Sequence, residues 1–261
     1  MSDETFQDYD GDMIALLEAV WGEGFMSPGG SGEVDRFLQG VDLASASVLD
    51  IGCGLGGMDL HLVKAHRAGK VTGIDIEPGL IARCERLAEK HGIAKQTAFL
   101  CVEPGPLPFA EAAFDIVTSK DSIIHIADKA ALAADIYRVL KPGGCFAASD
   151  WLAGYEGVPS PEMEAYILAE GLDFGLASAK TYRLALEAAG FVGIEIVDRN
   201  DWYRDEARRE RDRLQGALYQ GLARQVGRDF LEHEIDVWDK MIVALDRGEL
   251  RPTHLRGRKP A

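Results

Sequence analysis

The chain has 261 residues, of which 47% are apolar and 27% carry a formal charge, and this length suits one α/β domain with a large core. The formal net charge of −15 argues against nucleic acid or an anionic membrane as partner, because binding either requires clustered Lys and Arg. No apolar run approaches the length of a membrane span, and the acidic segment 1–12 lacks the pattern of a secretory signal. We therefore expect a cytoplasmic protein.

The four cysteines, at positions 53, 84, 101 and 145, are scattered and include no Cys-x-x-Cys pair. This spacing indicates neither a zinc site nor a disulfide framework. We therefore predict no metal site, and the sequence gives no indication of the oligomeric state.

The first predicted element is an amphipathic helix, because Met13, Leu16, Leu17 and Val20 follow helical spacing. A glycine-rich loop, 22–32, follows it. We expect this N-terminal region, 1–46, to form a helical lid over the site.

From residue 47 to 150 short apolar runs alternate with helical patterns, which is the signature of βαβ units. Parallel strands of this kind form a doubly wound sheet that binds ligands at the carboxyl ends of its strands, and the switch point is expected beside Gly52. Strands are predicted at 48–51, 71–75, 98–102, 114–118 and 145–149, with helices at 58–68, 78–90 and 130–140.

The remainder, 151–261, is predicted to hold the acceptor-binding half of the same single domain. Its helices are expected at 164–172, at 182–189 and throughout 201–245, with a sixth strand at 191–197 and a seventh, at the sheet edge, at 250–258. The complete fold prediction is a doubly wound, mostly parallel, seven-stranded Rossmann-like sheet with a helical lid and added helices after strand five.

The most specific motif is the apolar run Val48–Ile51, which leads directly into Gly52-x-Gly54-x-Gly56. Glycines at these positions allow a tight turn and a close backbone approach to a ligand. Asp75 ends the next predicted strand and can accept hydrogen bonds from ribose hydroxyls. The spacing differs from that of a phosphate-binding glycine loop, so it favours a nucleotide-type cofactor without a pyrophosphate.

These residues resemble the first motif and the ribose-binding acid of the class I S-adenosylmethionine-dependent methyltransferases. The segments 21–30, 119–125 and 140–144 narrow the similarity to the phosphoethanolamine N-methyltransferases. The resemblance implies S-adenosylmethionine as cofactor, with Ile76 packing on adenine and Glu103 standing where the family has an Asp that reads the adenine amine. The cofactor-binding residues that it implies are Met26, Ser27, Asp50, Gly52, Gly54, Gly56, Asp75, Ile76, Glu103, Pro104 and Lys120.

The same resemblance implies three catalytic residues. Asp121 and His125 follow the fourth strand, and His125 is expected to pair with Tyr9 of the N-terminal segment. This dyad would close the site and assist proton removal from the acceptor ammonium.

The acceptor pocket is where this sequence departs from the family. Trp151, Tyr166 and Lys240 match substrate-binding positions, but Glu170 and Leu172 stand where the family carries Arg and Tyr. Replacing Arg by Glu removes a bidentate phosphate donor and introduces repulsion toward an anion. A small amine or amino acid, such as glycine, sarcosine or dimethylglycine, therefore competes with phosphoethanolamine as the expected acceptor.

The sequence thus predicts a methyltransferase that acts on the nitrogen of a small polar amine. One alternative moves the methyl group to oxygen or sulfur of a small metabolite, for which Asp121 and His125 would serve equally well. A second alternative, from a different class, is a cofactor-binding regulatory module without catalysis.

Overall fold

The computed structural model of the protein describes residues 11–171 and 174–261. Seven strands form one sheet: β1 (Ser47–Ile51), β2 (Lys70–Asp75), β3 (Thr97–Cys101), β4 (Phe114–Lys120), β5 (Leu140–Ala153), β6 (Val192–Asp198) and β7 (Leu250–Arg258). Their order in the sheet is β3-β2-β1-β4-β5-β7-β6. The predicted seven-stranded, mostly parallel sheet is confirmed.

The first five strands pair in parallel, and β1 lies between β2 and β4. The chain order therefore reverses at β1, whose carboxyl end leads into Gly52. Val48 and Leu49 of β1 are completely buried, since helices cover both faces of the sheet. Ligand sites in such sheets form at this reversal point, which is where the sequence predicts one.

Ten helices surround the sheet within the described residues. They are α1 (Gly11–Trp21), α2 (Gly30–Phe37), α3 (Gly57–Lys64), α4 (Pro78–His91), α5 (Lys129–Val139), α6 (Pro161–Glu170), α7 (Ala179–Ala189), α8 (Asn200–Gln215), α9 (Tyr219–Gln225) and α10 (Arg228–Asp246), together with one 3-10 turn, Ile123–His125. No helix in the described ranges is long and apolar enough to cross a membrane.

The three largest hydrophobic clusters of the described residues organise most of these helices. Helices α2 and α3 pack on one face of the sheet, and α5 and α7 pack on the other. A third cluster joins α1, α6 and α8 to α10 around Trp151 and Tyr203. The last cluster encloses the aromatic side chains that flank the candidate site.

The prediction that 250–258 forms an edge strand is wrong, because β7 lies between β5 and β6 and pairs antiparallel with both. Its polar side chains suggested an exposed edge, but they have buried partners. His254 Nε2 lies 2.6 Å from the buried Glu33 carboxylate, and Arg256 donates to the carbonyl oxygen of Phe37 at 2.8 Å. Pro252, which cannot donate a ladder hydrogen bond, lies just before the segment paired on both sides.

The predicted glycine-rich loop 22–32 also differs from the structure, since α2 begins at Gly30. The helix was not predicted because glycines open it and its apolar face is short, with Val34 and Phe37 as its buried hydrophobic residues. The helical stretch predicted at 201–245 is divided into α8, α9 and α10.

Candidate active site

The glycine motif forms the turn between β1 and α3. Gly52, Gly54 and Gly56 have φ angles of 75°, 54° and 83°, which side-chain-bearing residues rarely adopt. A Cβ atom at Gly52 would lie 1.7 Å from the hydroxyl oxygen of Ser122, so the turn also leaves no space for one. The motif therefore presents bare backbone at the carboxyl end of the sheet.

Asp75 lies directly beside this turn. Its carboxylate accepts backbone hydrogen bonds from Gly54 at 2.9 Å and from Glu77 at 3.1 Å, and burial raises the pKa of the group. A carboxylate has about four acceptor positions, so further hydrogen bonds from ligand hydroxyls remain available. The next residue, Ile76, is 45% exposed, an apolar surface beside a polar one. These features fit the ribose and adenine of S-adenosylmethionine.

A second carboxyl group of the motif, Asp50, is completely buried and faces the equally buried Asp59 of α3. Among the described residues, no other side chain hydrogen-bonds to either group. Burial and the neighbouring carboxyl raise the pKa of Asp50 well above its usual range, and burial raises the pKa of Asp59 to about 7. Burial and mutual repulsion therefore both disfavour the doubly charged pair.

Lys120 connects the segment after α1 to the end of β4. Its ammonium group donates to the Ser27 hydroxyl at 2.7 Å, to the Pro28 carbonyl at 2.8 Å and to the Asp121 carboxylate at 2.8 Å. These three contacts account for the three donors of an ammonium group. Lys120 therefore holds Ser27 and Asp121 in place.

Asp121 has a φ angle of 56°, a strained value that Asp tolerates better than most residues. Its second carboxylate oxygen accepts a hydrogen bond from the Ser149 hydroxyl at 2.8 Å, and its backbone N–H donates to the Ser149 carbonyl at 2.7 Å. Strained backbone that is fixed from both sides is typical of functional sites. Asp121 is thus held rigidly at the carboxyl end of β4.

Two buried charged side chains fix the 3-10 turn that carries His125. Lys129 Nζ donates to carbonyl oxygens within and just after this turn, at 2.8 and 2.6 Å. Asp150 accepts a backbone hydrogen bond from the turn at 3.0 Å and another from the Tyr182 hydroxyl. Burial lowers the pKa of Lys129 and raises that of Asp150, and their opposite charges counteract both shifts. The position of His125 therefore depends on a buried polar network.

A row of side chains runs from His125 toward α6. The rings of His125 and Phe174 lie 5.8 Å apart, and Phe174 stacks on Tyr166 at 6.2 Å. Tyr166 in turn hydrogen-bonds to the Glu170 carboxylate. Burial raises the pKa of Glu170 to about 7, although this hydrogen bond opposes the shift. Glu170 therefore lies beside the aromatic side chains in a partly buried position.

Trp151 borders the same region and packs edge-on against Tyr203 at 5.1 Å. Tyr203 donates to the buried Glu210 carboxylate at 2.9 Å, and Trp21 of α1 donates to it at 2.6 Å. Burial raises the pKa of Glu210 to about 7. This carboxyl group fastens α1 to α8, which keeps the predicted lid helix against the aromatic cluster.

The remaining predicted site residues have fewer contacts with the groups described above. Met26 lies against Gly54, where its sulfur would be 3.1 Å from an added Cβ atom. Glu103 and Pro104 are exposed beyond β3, next to a residue that donates to the Asp75 carbonyl. Lys240 forms an ion pair with Asp236, one turn earlier on α10.

Two predicted positions, Tyr9 and Leu172, lie outside the described residues. Ser149, Asp59 and Phe174 were not predicted from the sequence. Ser149 lies opposite Lys120 in the sheet, and its place at the end of the predicted strand 145–149 is a signal that would have identified it, although β5 itself continues to Ala153. Phe174 carries no such signal, because it lies in an irregular segment.

Known proteins share this architecture. Residues 48–144 match the family model described as a methyltransferase domain. A phosphoethanolamine N-methyltransferase of Triticum aestivum is 32% identical over 241 residues, which cover 91% of this chain and 46% of that protein. A second enzyme of that species, phosphoethanolamine N-methyltransferase 1, is 36% identical over 191 residues, covering 73% and 37% respectively.

Among solved structures, phosphoethanolamine N-methyltransferase 2 of Haemonchus contortus in complex with S-adenosyl-L-methionine superimposes with a TM-score of 0.83. It is 25% identical, and the alignment covers 98% of this chain and 59% of that one. The present chain spans at most about half the length of the curated wheat relatives.

The glycine turn, Asp75 and these similarities place the chain among the S-adenosylmethionine-dependent methyltransferases. Within that class, the chain is a relative of the phosphoethanolamine N-methyltransferases. The class uses S-adenosylmethionine as methyl donor, in agreement with the cofactor that the sequence predicts.

Proposed function

We propose that this chain transfers a methyl group from S-adenosylmethionine to the nitrogen of a small polar amine. The observation that carries the proposal is the row from His125 through Phe174 and Tyr166 to the partly buried carboxyl of Glu170. Such a row offers aromatic faces and one carboxyl group, which together suit an ammonium or methylated ammonium ion. The wheat relatives, named as phosphoethanolamine N-methyltransferases, support nitrogen as the accepting atom.

The cofactor supplies an electrophilic methyl group, and the protein must present a neutral amine in line with it. Positioning accounts for most of the rate in such a displacement. Asp121, fixed by Lys120 and Ser149, is proposed to orient the amine. His125, held by the Lys129 and Asp150 network, is proposed to accept the ammonium proton together with Tyr9.

The acceptor is proposed to be an amino acid or simple amine and not a phosphorylated one. Glu170 occupies a partly buried position beside the aromatic side chains, in which a carboxylate repels a phosphate dianion and attracts a cation. Lys240 is already paired with Asp236, so it offers at most a weak site for one carboxylate.

The test is to measure kcat/KM for glycine, sarcosine, dimethylglycine, ethanolamine and phosphoethanolamine. We expect one of the unphosphorylated amines to be preferred, and Glu170→Arg to shift the preference toward phosphoethanolamine. Glu164→Arg, at an exposed position of the same helix, is the matched control and should not shift it. Efficient turnover of phosphoethanolamine by the unmodified chain would overturn the proposed acceptor class.

From composition alone, we further propose a cytoplasmic location without nucleic-acid or membrane partners. The net charge of −15 supports this part of the proposal.

A further inference from the structure

Three side chains with metal-ligating atoms meet where α2 approaches α3. One carboxylate oxygen of Asp35 lies 2.7 Å from His61 Nε2 and 2.8 Å from His66 Nε2. The three ligand atoms all lie within 4.8 Å of one another. The two imidazole rings are nearly perpendicular, with centroids 5.2 Å apart, so both ring nitrogens converge on one point without stacking.

The cluster is partly preorganised by the fold. The side chains of His61 and His66 are 19% and 23% exposed, whereas that of Asp35 is 54% exposed. Asp35 lies on α2 two residues after Glu33, whose buried carboxylate is held by Arg199 at 3.0 Å. This ion pair fixes the part of α2 that carries Asp35, and the Asp35 side chain is the most exposed of the three.

We propose that Asp35, His61 and His66 form a binding site for a divalent transition-metal ion of the Zn²⁺ type. Two imidazoles and one carboxylate, with a fourth position open to solvent, are a common donor set for this ion. Ligand atoms of a tetrahedral Zn²⁺ site lie roughly 3.4 Å apart, so a small rotation of Asp35 makes room for the ion. Mg²⁺ and Ca²⁺ prefer sets composed of oxygen ligands and should bind poorly.

The proton balance of binding is simple. A shared carboxylate oxygen accepts from both rings when each neutral imidazole carries its proton on Nε2. On binding, each ring carries its proton on Nδ1 and gives the Nε2 lone pair to the ion, so neutral rings release no net proton. The ion then replaces the two N–H···O contacts with three coordinate bonds.

The ion would cross-link α2 to α3, the helix that follows the glycine turn of the candidate active site. The α3 residue Gly57 donates its backbone N–H to the Gly24 carbonyl at 3.0 Å, so α3 already contacts the segment between α1 and α2. A metal cross-link between α2 and α3 would therefore stabilise the segment between α1 and α2 against the glycine turn that precedes α3. Asp35 and His61 are 26 residues apart, which explains why the sequence did not predict the site.

The test is calorimetric titration of the full chain with ZnCl₂ and, separately, with MgCl₂, followed by thermal unfolding with and without Zn²⁺. We expect one Zn²⁺ per chain, a raised Tm and no comparable effect of Mg²⁺. Asp35→Asn and His66→Ala should each weaken Zn²⁺ binding by at least ~10-fold. Matched controls are His233→Ala, an exposed histidine on α10, and Cys101→Ser, an exposed free thiol.

The proposal is overturned if the unmodified chain does not bind Zn²⁺. It is equally overturned if the two ligand variants bind as tightly as the controls, or if Cys101→Ser abolishes binding. Circular dichroism of each variant without metal shows whether Asp35→Asn still folds, and His66→Ala, beyond the end of α3, provides a second and milder perturbation.

Discussion

Replacing Glu170 by Gln should stabilise the fold and impair its proposed function together. Burial raises the pKa of this carboxyl group from 4.5 to about 7. A shift of this size corresponds to about 3 kcal/mol of penalty on the charged form. Gln keeps the shape of the Glu side chain and a hydrogen-bond acceptor for Tyr166, but it carries no charge. The variant therefore lacks the free-energy cost of the charged carboxylate.

The sign of the pH dependence follows from the raised pKa. Below pH 4.5 the carboxyl group is protonated in both the folded and the unfolded chain. Its ionisation therefore makes no difference between the free energies of unfolding of the variant and the wild type. Above pH 7 the folded wild type carries the full penalty. The free energy of unfolding of Glu170→Gln, relative to wild type, should therefore rise by about 2.5 kcal/mol between pH 5 and pH 8.5.

Urea unfolding at the two pH values measures this difference, and Glu164→Gln on the exposed side of the same helix is the control. In parallel, kcat/KM for the preferred amine should fall by about 10- to 100-fold, the value of a hydrogen bond to a charged group. A variant that gains stability while losing activity would show that Glu170 is retained for function at a cost in stability. A stability difference that is flat with pH would refute the reasoning, since it would mean that Glu170 is hydrated.

The remaining predictions concern the cofactor and the His125 turn. Asp75→Ala should weaken binding of S-adenosylhomocysteine by about 10- to 100-fold while the chain still unfolds cooperatively, and calorimetry measures this. Lys129→Met should lower kcat without changing cofactor affinity, because Lys129 no longer donates hydrogen bonds to the turn that carries His125. Adding Asp150→Asn should restore stability, but it should not restore kcat because these contacts to the turn stay broken. His125→Ala and Tyr9→Phe should each lower turnover, with a double variant that is less than additive.

Each of these predictions has an outcome that contradicts it. Unchanged S-adenosylhomocysteine affinity in Asp75→Ala would remove Asp75 from the cofactor site. A loss of cofactor affinity equal to the loss of kcat in Lys129→Met would indicate general disruption of the fold. Additive losses in the double variant would show that His125 and Tyr9 act independently.

The sheet was predictable because buried parallel strands and amphipathic helices have distinct periods. The 14-residue helix α4 illustrates this, with Pro78 in its first turn, a buried stripe that includes Leu80 and Cys84, and Gly92 at its C-cap. The glycine turn was predictable for a related reason, since several positive φ angles near a strand end require glycine.

What sequence reasoning missed depends on contacts between distant segments. The polarity of β7 indicated an edge strand, because the sequence does not show that His254 meets Glu33 across 221 positions. The role of Lys120 as a connection to Ser27, and the place of Phe174 between His125 and Tyr166, likewise follow from tertiary packing. Local sequence patterns thus predicted the strands and helices and indicated the carboxyl ends of the strands as the place of the candidate site. They did not predict the polar network of that site.

The most direct measurement of the central claim uses S-adenosylmethionine with an isotope-labelled methyl group. The full chain is incubated with the amine panel, and the products are analysed by NMR and mass spectrometry. The account predicts a labelled methyl group on the nitrogen of an amino acid or simple amine, with turnover that falls in Asp75→Ala and His125→Ala. Label on oxygen or sulfur, or no transfer by a chain that binds S-adenosylhomocysteine, would contradict it.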